Sequence, residues 1–345
     1  MMRNEKRLIR ALIVLIAMLL ILVMANGRFE QNQQSQMTES GDYPFEEENM
    51  IVVGFSQLGI ESVWRATHTQ SIQQALSKEN GFFLQYENAK QKQENQIKAI
   101  RGFISQRVDY IVFAPLMEDG WETVLTEAKE AGIPVILVDR KISGAEDLYT
   151  TFIGSDMKEE GRQAGRWLEA YQRKRGRLNE PLRIVALTGT LGSTSQIGRS
   201  SGFYEIVSQH DNWEIIAQEY GDFTVVKGKE AMAKLLRQNQ DIDVVVSQND
   251  EMTFGAMEAI QDAGFTTGIY GDMILISYDG VRDELELVDR GKINFEIECN
   301  PLQGELLAEV IRKLEAVETV EKEYFVEELV FTRENVKDYL PTRAY

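Results

Sequence analysis

The chain has 345 residues, which is too many for one ordinary core and suits two lobes, and its 43% hydrophobic and 27% charged residues are globular proportions. Its net charge is −18. The acidic balance, and the absence of a basic stripe after residue 10, exclude a nucleic-acid-binding surface. A single cysteine, Cys299, and two histidines exclude a disulfide framework, a thiolate metal cluster and a multi-histidine site, and no cofactor motif is present.

The first 25 residues have the pattern of an export signal. Four basic residues precede an uncharged apolar run from Ala11 to Ala25, which is shorter than the about 20 residues of a membrane-spanning helix. Val23 and Ala25 offer the small residues of a cleavage site, so we expect cleavage near Ala25, with an uncleaved anchor as the alternative. The charge before the run places the rest of the chain outside the cytoplasm.

Residues 26–49 are polar, rich in Gln and Glu, and without periodicity. They predict a flexible spacer between the apolar run and a folded part that begins at residue 50.

From residue 50 onward, short apolar runs alternate with helical patterns. The runs predict strands at Ile51–Phe55, Phe82–Tyr86, Tyr110–Ala114, Val135–Val138, Leu148–Ile153, Arg183–Leu187, Trp213–Gln218, Val244–Ser247, Met273–Tyr278, Asn294–Ile297 and Tyr324–Phe331. Between them, spacings such as Ile97, Ile100 and Ile104 mark one face of a helix. Apolar strands that alternate with helices predict parallel sheets covered on both faces, and their number predicts two doubly wound sheets side by side.

Ligands of such sheets bind at the carboxyl ends of the strands, so the residues that follow each strand are the candidates for a site. They are polar: Ser56-Gln57, Asn88, Asp139-Arg140, Gly189-Thr190, Asp222-Phe223, Gln248-Asn249-Asp250, Asp279 and Glu298–Asn300. Asp, Asn, Arg and Gln make the multidentate hydrogen bonds that sugar hydroxyls require. Phe55, Trp64 and Phe223 are placed to pack on the C–H faces of a sugar ring.

Each of these residues also has a structural explanation. A single polar residue after a strand is often only a helix N-cap. Asp139-Arg140, which follows the apolar PVILV, could form a surface salt bridge, and Arg199 could lie on a solvated helix face. Many polar strand ends beside one cleft favour binding.

An enzyme is the competing class. Gly198–Gly202 spells G-x-S-x-G, but a nucleophile elbow must directly follow a strand, and here Ser193 is the expected N-cap of a helix that already contains the motif. The only later histidine, His210, lies at the end of that helix, so no Ser–Asp–His order exists. The sequence therefore predicts a binding protein and not an enzyme.

The sequence resembles the periplasmic sugar-binding proteins of the ribose and galactose ABC transporter type, and within them the galactofuranose-binding group. The likeness runs from about residue 51 to the C-terminus. It is carried by Val53–Arg65, Gln91–Arg101, Ala131–Arg140, Gly189–Arg199, Gly221–Thr224, Asn249-Asp250, Asp279–Arg282 and Glu298–Leu302.

The resemblance implies a type I periplasmic binding protein, or Venus flytrap: two Rossmann-like α/β lobes joined by three hinge crossings. The crossings are expected near Ile153-Gly154, near Cys299-Asn300 and shortly before the last strand. Lobe 1 would comprise 50–153 plus 300–322, and lobe 2 would comprise 154–299 plus 323–345.

The resemblance also implies roles for individual residues. Asp139 and Arg140 would hold ring hydroxyls from lobe 1, and Arg199, Asn249 and Asp279 would hold them from lobe 2. The remaining expected contacts are Asn300 at the hinge, Phe223 as a stacking ring, and the first-lobe signature Ser56, Glu61, Trp64 and Arg65. One departure from the family is Val225-Val226, where a basic residue is usual.

The expected function is that of an extracytoplasmic, monomeric monosaccharide-binding protein that delivers its sugar to an ABC permease. The alternative is a tethered sugar sensor that reports to a histidine kinase or chemoreceptor. The sequence predicts no cofactor and no metal.

Overall fold

The computed structural model describes residues 50–345 with the exception of 61 and 240. The predicted export segment (1–25), the predicted spacer (26–49) and Glu61 lie outside the described residues. Among the described residues, no helix is both long enough and apolar enough to span a membrane.

Strands and helices alternate along the described chain. The strands are β1 Ile51–Gln57, β2 Phe82–Asn88, β3 Tyr110–Phe113, β4 Val135–Asp139, β5 Thr151–Gly154, β6 Leu182–Thr188, β7 Trp213–Tyr220, β8 Val244–Ser247, β9 Ile274–Asp279, β10 Phe295–Glu298, β11 Glu323–Phe325 and β12 Val330–Phe331. The helices are α1 Val63–Ala75, α2 Gln93–Gln106, α3 Glu122–Glu130, α4 Met157–Lys174, α5 Thr194–Val207, α6 Val225–Gln238, α7 Asp250–Asp262, α8 Arg282–Asp289, α9 Gly304–Glu315 and α10 Val336–Tyr339.

The first sheet has the order β11-β5-β4-β3-β1-β2, and all its strand pairs are parallel. Both of its faces are buried. Along β3, Val112 packs into the core on one face while its neighbours Ile111 and Phe113 pack into the core on the other. This arrangement explains why the strands are apolar throughout and do not alternate with polar residues.

The second sheet repeats the design with the order β12-β10-β9-β8-β6-β7. Its pairs are parallel except for the edge strand β12, which runs antiparallel to β10. Two sheets of six strands, each covered by helices, confirm the predicted fold class.

The chain passes between the sheets after β5, after β10 and between β11 and β12. Glu328, in the third passage, connects all three. Its carboxylate accepts the hydroxyl of Ser155, from the first passage, and the backbone N–H of Asn300, from the second, at 3.1 Å. The hinge is therefore a hydrogen-bonded unit.

Three sequence-based boundaries need correction. The segment predicted as one strand, Tyr324–Phe331, is two strands in different sheets, so the chain changes lobe after Phe325 and not at 323. Leu148 belongs to a 3₁₀ turn before β5. The first strand, predicted to end at Phe55, continues to Gln57.

Candidate functional site

A polar cavity lies between the carboxyl ends of the two sheets. The space between its walls is about 350 Å³, including the part open to solvent. It is lined by Ser62, Trp64, Arg65, Asp139, Arg140, Ser195, Arg199, Phe223, Asn249, Asp279 and Cys299.

The lobe 1 wall is one carboxylate between two guanidinium groups. Asp139 Oδ2 lies 2.6 Å from Arg65 Nη1 and 3.7 Å from Arg140 Nε, and all three side chains are buried. Arg140 Nη1 also donates to the backbone carbonyl of Leu116 at 3.1 Å, which fixes the direction of the guanidinium. This wall therefore carries one more positive than negative charge.

The backbone at the end of β4 aims this group into the cavity. Asp139 has a φ of +64°, a left-handed conformation, so the chain turns sharply there. Its N–H donates to Gln303 Oε1 at 3.1 Å, and the same oxygen lies 3.2 Å from His68 Nε2. Burial lowers the pKa of His68 to about 4, so the imidazole is neutral and Nε2–H is the donor to Gln303.

The lobe 2 wall has the opposite composition: one guanidinium between two carboxylates. Arg199 Nε lies 2.6 Å from Glu160 Oε2, and Nη2 lies 3.1 Å from Asp279 Oδ1. Its Nη1 donates to the backbone carbonyl of Gln248. The guanidinium also lies over the ring of Tyr278, 4.8 Å from its centroid.

The two walls differ in their protonation. Burial raises the pKa of Asp279 to about 6 and that of Glu160 to about 7, because Arg199, with Arg65 also acting on Asp279, only partly offsets the effect of burial. Burial also acts on Asp139, but Arg65 and then Arg140 outweigh it, so the pKa of Asp139 is lowered. The lobe 1 carboxylate is therefore firmly ionised at neutral pH, and the lobe 2 carboxylates titrate close to it.

One aromatic ring faces the cavity from each lobe. Trp64 is held by its indole N–H, which donates to the backbone carbonyl of Cys299 at 2.5 Å. Phe223 has a φ of +60° and lies under the Arg140 guanidinium at 5.3 Å. Its ring packs directly on Gly189, where an added Cβ would be only 1.8 Å from the ring.

The rims of the lobes touch, so the structure is a closed form. The backbone N–H of Val63 in lobe 1 donates to Glu251 in lobe 2 at 3.1 Å. Thr194 Oγ1 both accepts from the backbone N–H of Lys141 and donates to its carbonyl, each at 3.0 Å.

The structure brings eight of the twelve predicted site residues to the cavity. These are Trp64, Arg65, Asp139, Arg140, Arg199, Phe223, Asn249 and Asp279. Asn249 is at the same time the N-cap of α7, accepting from Met252 N at 3.0 Å, so the structural and the binding interpretation are compatible at this position.

Three predicted residues do not line the cavity. β1 extends two residues beyond its predicted end, so Phe55 and Ser56 are inside the strand, fully buried, with the Phe55 ring against Tyr86. The side chain of Asn300 is used within the hinge, where its amide donates to the carbonyl of Glu327 at 3.2 Å.

Sequence reasoning missed Glu160, which anchors Arg199, and the lining residues Ser62 and Ser195. Glu160 lies in the first turn of α4, where an acidic residue is expected from the helix dipole alone, so nothing local distinguished it. Ser62 could have been predicted from the sequence, because it is the N-cap of the helix that presents Trp64 and Arg65.

The arrangement is suited to binding neutral, hydroxyl-rich molecules. Each wall offers carboxylate acceptors beside guanidinium donors, so one hydroxyl can donate and accept at once. The G-x-S-x-G serine, Ser200, lies in the interior of α5 and accepts a hydrogen bond from Gln248 Nε2 at 2.8 Å, which is not the geometry of a nucleophile elbow.

Comparison with known proteins agrees with this geometry. Residues 53–316 match the periplasmic binding protein domain, so the chain belongs to that family. It is 40% identical to the galactofuranose-binding protein YtfQ of Escherichia coli over 255 residues, which is 73% of this chain and 78% of the relative. Its relatives are sugar-binding transport proteins, which confirms the prediction of a binding protein and not an enzyme.

Two solved structures extend the likeness. A Mycobacterium smegmatis protein in complex with β-D-fucofuranose has a TM-score of 0.80 and 42% identity, covering 86% of this chain and 95% of that one. The binding protein of an arabinose ABC transporter from a Shewanella species, bound to α- and β-L-arabinofuranose, has a TM-score of 0.78 and 38% identity, covering 85% and 95%.

Proposed function

We propose that this protein binds one monosaccharide in its five-membered furanose form and delivers it to an ABC permease. The observation that carries the proposal is the pair of oppositely composed walls, Arg65–Asp139–Arg140 and Glu160–Arg199–Asp279, closed around one small cavity. Neutral sugars offer no charge of their own, so a site for them satisfies its buried charges internally and presents the remaining donors and acceptors.

The furanose form is supported by the relatives' names and by the shape of the site. One relative is named for galactofuranose, one solved structure holds fucofuranose and another holds arabinofuranose. Here one aromatic ring from each lobe lines the cavity, Trp64 from lobe 1 and Phe223 from lobe 2. A five-membered ring with its C–H faces between these rings would direct its hydroxyls to the two charged walls.

A membrane permease is the proposed partner of the closed form. Exposed apolar side chains follow the carboxyl ends of strands in both lobes, and so lie on the rims of the cleft: Ile60, Val63, Leu191 and Val226. Closure brings the two rims together, so a protein partner that contacts both sets of apolar side chains would recognise the closed form. The predicted export and cleavage near Ala25 belong to the same proposal, and N-terminal sequencing of the secreted protein tests them.

Calorimetric titration with a panel of ligands tests the proposed function. Galactofuranose, fucofuranose and arabinose should bind with one site per chain, while amino acids and nucleosides should not. Binding of an amino acid or a nucleoside, with no response to any sugar, would show that the assignment is wrong.

A further inference from the structure

A second cluster of acidic side chains lies inside lobe 2, behind the sugar cavity. Asp250 begins α7, Glu284 is in the first turn of α8, and Glu296 is in β10. All three are fully buried, and one carboxylate oxygen from each lies within 4.8 Å of the other two.

The hydrogen bonds of the cluster leave several oxygens without a donor. Asp250 Oδ2 accepts Val281 N–H at 2.7 Å, and Glu296 Oε1 accepts Gly280 N–H at 3.0 Å. Within the described part of the chain, neither oxygen of Glu284 nor Glu296 Oε2 has a donor in good hydrogen-bond geometry; the side chains beside them are Ser277 and Asp250, respectively. A buried acceptor without a donor is costly, so this group needs a ligand or a proton.

Charge compensation is missing as well. Within residues 50–345 as described, no basic side chain forms an ion pair with any of the three carboxylates, and the charges that act on them come from other acids, including Asp279 and Glu251. The nearby guanidinium of Arg343, which donates to the carbonyl of Gly280, is paired with Glu298. The Glu160 carboxylate, by contrast, has Arg199.

We propose that Asp250, Glu284 and Glu296 bind a hard divalent cation, Ca²⁺, inside lobe 2. The donors are all oxygens, which Ca²⁺ prefers, and Ca–O distances of about 2.3–2.6 Å place ligands on opposite sides of one ion up to about 5 Å apart. The hydroxyls of Ser277 and Thr253, 2.7 Å from each other and beside Asp250, offer neutral oxygens to complete the shell.

The cation would stabilise the backbone that carries Asp279. Gly280 and Val281, whose N–H groups the cluster holds, directly follow Asp279, which has a φ of +107°. Ca²⁺ binds carboxylates in their deprotonated form, so its effect should grow as pH rises.

Thermal unfolding of the full-length protein, stripped with EDTA, tests this inference without any sugar. At about pH 7.5, about 1 mM Ca²⁺ should raise Tm by at least about 3 °C, and the shift should shrink at about pH 5. Equilibrium dialysis with Ca²⁺ should give one ion per chain.

Glu284→Gln has the same size but cannot neutralise a cation, so it should abolish both the shift and the bound ion. Asp283→Asn, on the exposed side of the same helix, should keep them. If Glu284→Gln does not fold, the same two measurements on Glu296→Gln, together with the dialysis of the wild type, test whether the cluster binds Ca²⁺.

Absence of bound Ca²⁺, together with a higher Tm of Glu284→Gln than of wild type in EDTA, would overturn the proposal and show that protons alone neutralise the cluster. Binding that survives in Glu284→Gln would place the ion elsewhere and would also overturn it. Neither result bears on sugar binding, so the proposed function stands or falls separately.

Discussion

Both walls of the cleft pair buried charged side chains with one another, but the two walls have opposite net charge. In lobe 1 the carboxylate of Asp139 has two guanidinium partners, whereas in lobe 2 the guanidinium of Arg199 has two carboxylate partners. The lobe 1 wall can lose one guanidinium and still pair its carboxylate. Loss of the one guanidinium of the lobe 2 wall leaves both of its carboxylates unpaired. Residues with similar expected contacts to a ligand can therefore differ in how much their loss lowers the stability of the fold.

Loss of Arg199 should have the largest effect. Arg199→Met leaves Glu160 and Asp279 buried without a cation, so we expect a loss of about 3–5 kcal/mol in the free energy of unfolding. Sugar affinity should fall by more than about 100-fold because a charged donor is removed from a closed site. Urea unfolding and calorimetric titration measure the two effects. Unchanged stability would contradict the assigned difference between the walls.

Arg140→Ala should separate binding from stability. Affinity should fall by about 2–4 kcal/mol, while the stability of the sugar-free protein should barely change because Arg65 still pairs with Asp139 at 2.6 Å. Arg101→Ala is the matched control in lobe 1, since Arg101 forms an exposed pair with Glu127 and should affect neither quantity. A tenfold or smaller loss of affinity would remove Arg140 from the site.

The pH dependence of stability should differ between the walls. Glu160 and Asp279 have raised pKa values, so the folded protein keeps protons that the unfolded chain releases, and their contribution is lost as pH rises from about 4 to about 7. The lowered pKa of Asp139 acts in the opposite sense, with a contribution lost only as pH falls below about 4.

Melting curves across this range should therefore show a decline of Tm with rising pH that is smaller in Glu160→Gln than in wild type. An equal decline in both proteins would mean that Glu160 does not titrate there.

The smallest expected effect concerns the aromatic contact. Gly189→Ala places a methyl group against the Phe223 ring and should displace it, at a cost of about 1–2 kcal/mol in sugar affinity. Gly102→Ala is the control, because an added Cβ there meets only Gln106 Nε2, at 3.9 Å. Equal affinities of the two variants would show that Phe223 does not contact the sugar.

The fold could be predicted from the local sequence pattern, because a buried parallel strand is apolar throughout and the segments before and after it have helical periodicity. Asp139 and Arg140 were predictable for the same reason, since polar residues directly after such a strand lie at the ligand-binding edge of the sheet. Phe55 and Ser56 were misplaced because β1 continues through Ser56 and Gln57, whose polar side chains suggested that the strand had ended.

Other features depend on contacts distant in sequence. Glu160 and Arg199 are 39 residues apart, and Asp250 and Glu296 meet only after two intervening elements have folded. The passage of the chain from one sheet to the other between β11 and β12 could not be predicted, because the sequence of the two short strands is also compatible with one extended strand. No local pattern marks such pairs.

The central claim is that the two walls close around one furanose ring. Calorimetric titration with a matched pair of ligands, methyl β-D-galactofuranoside and methyl β-D-galactopyranoside, tests it directly because ring opening is blocked in both. We predict that the furanoside binds at one site per chain and at least about 100-fold more tightly than the pyranoside. Equal affinities, or tighter binding of the pyranoside, would contradict the account.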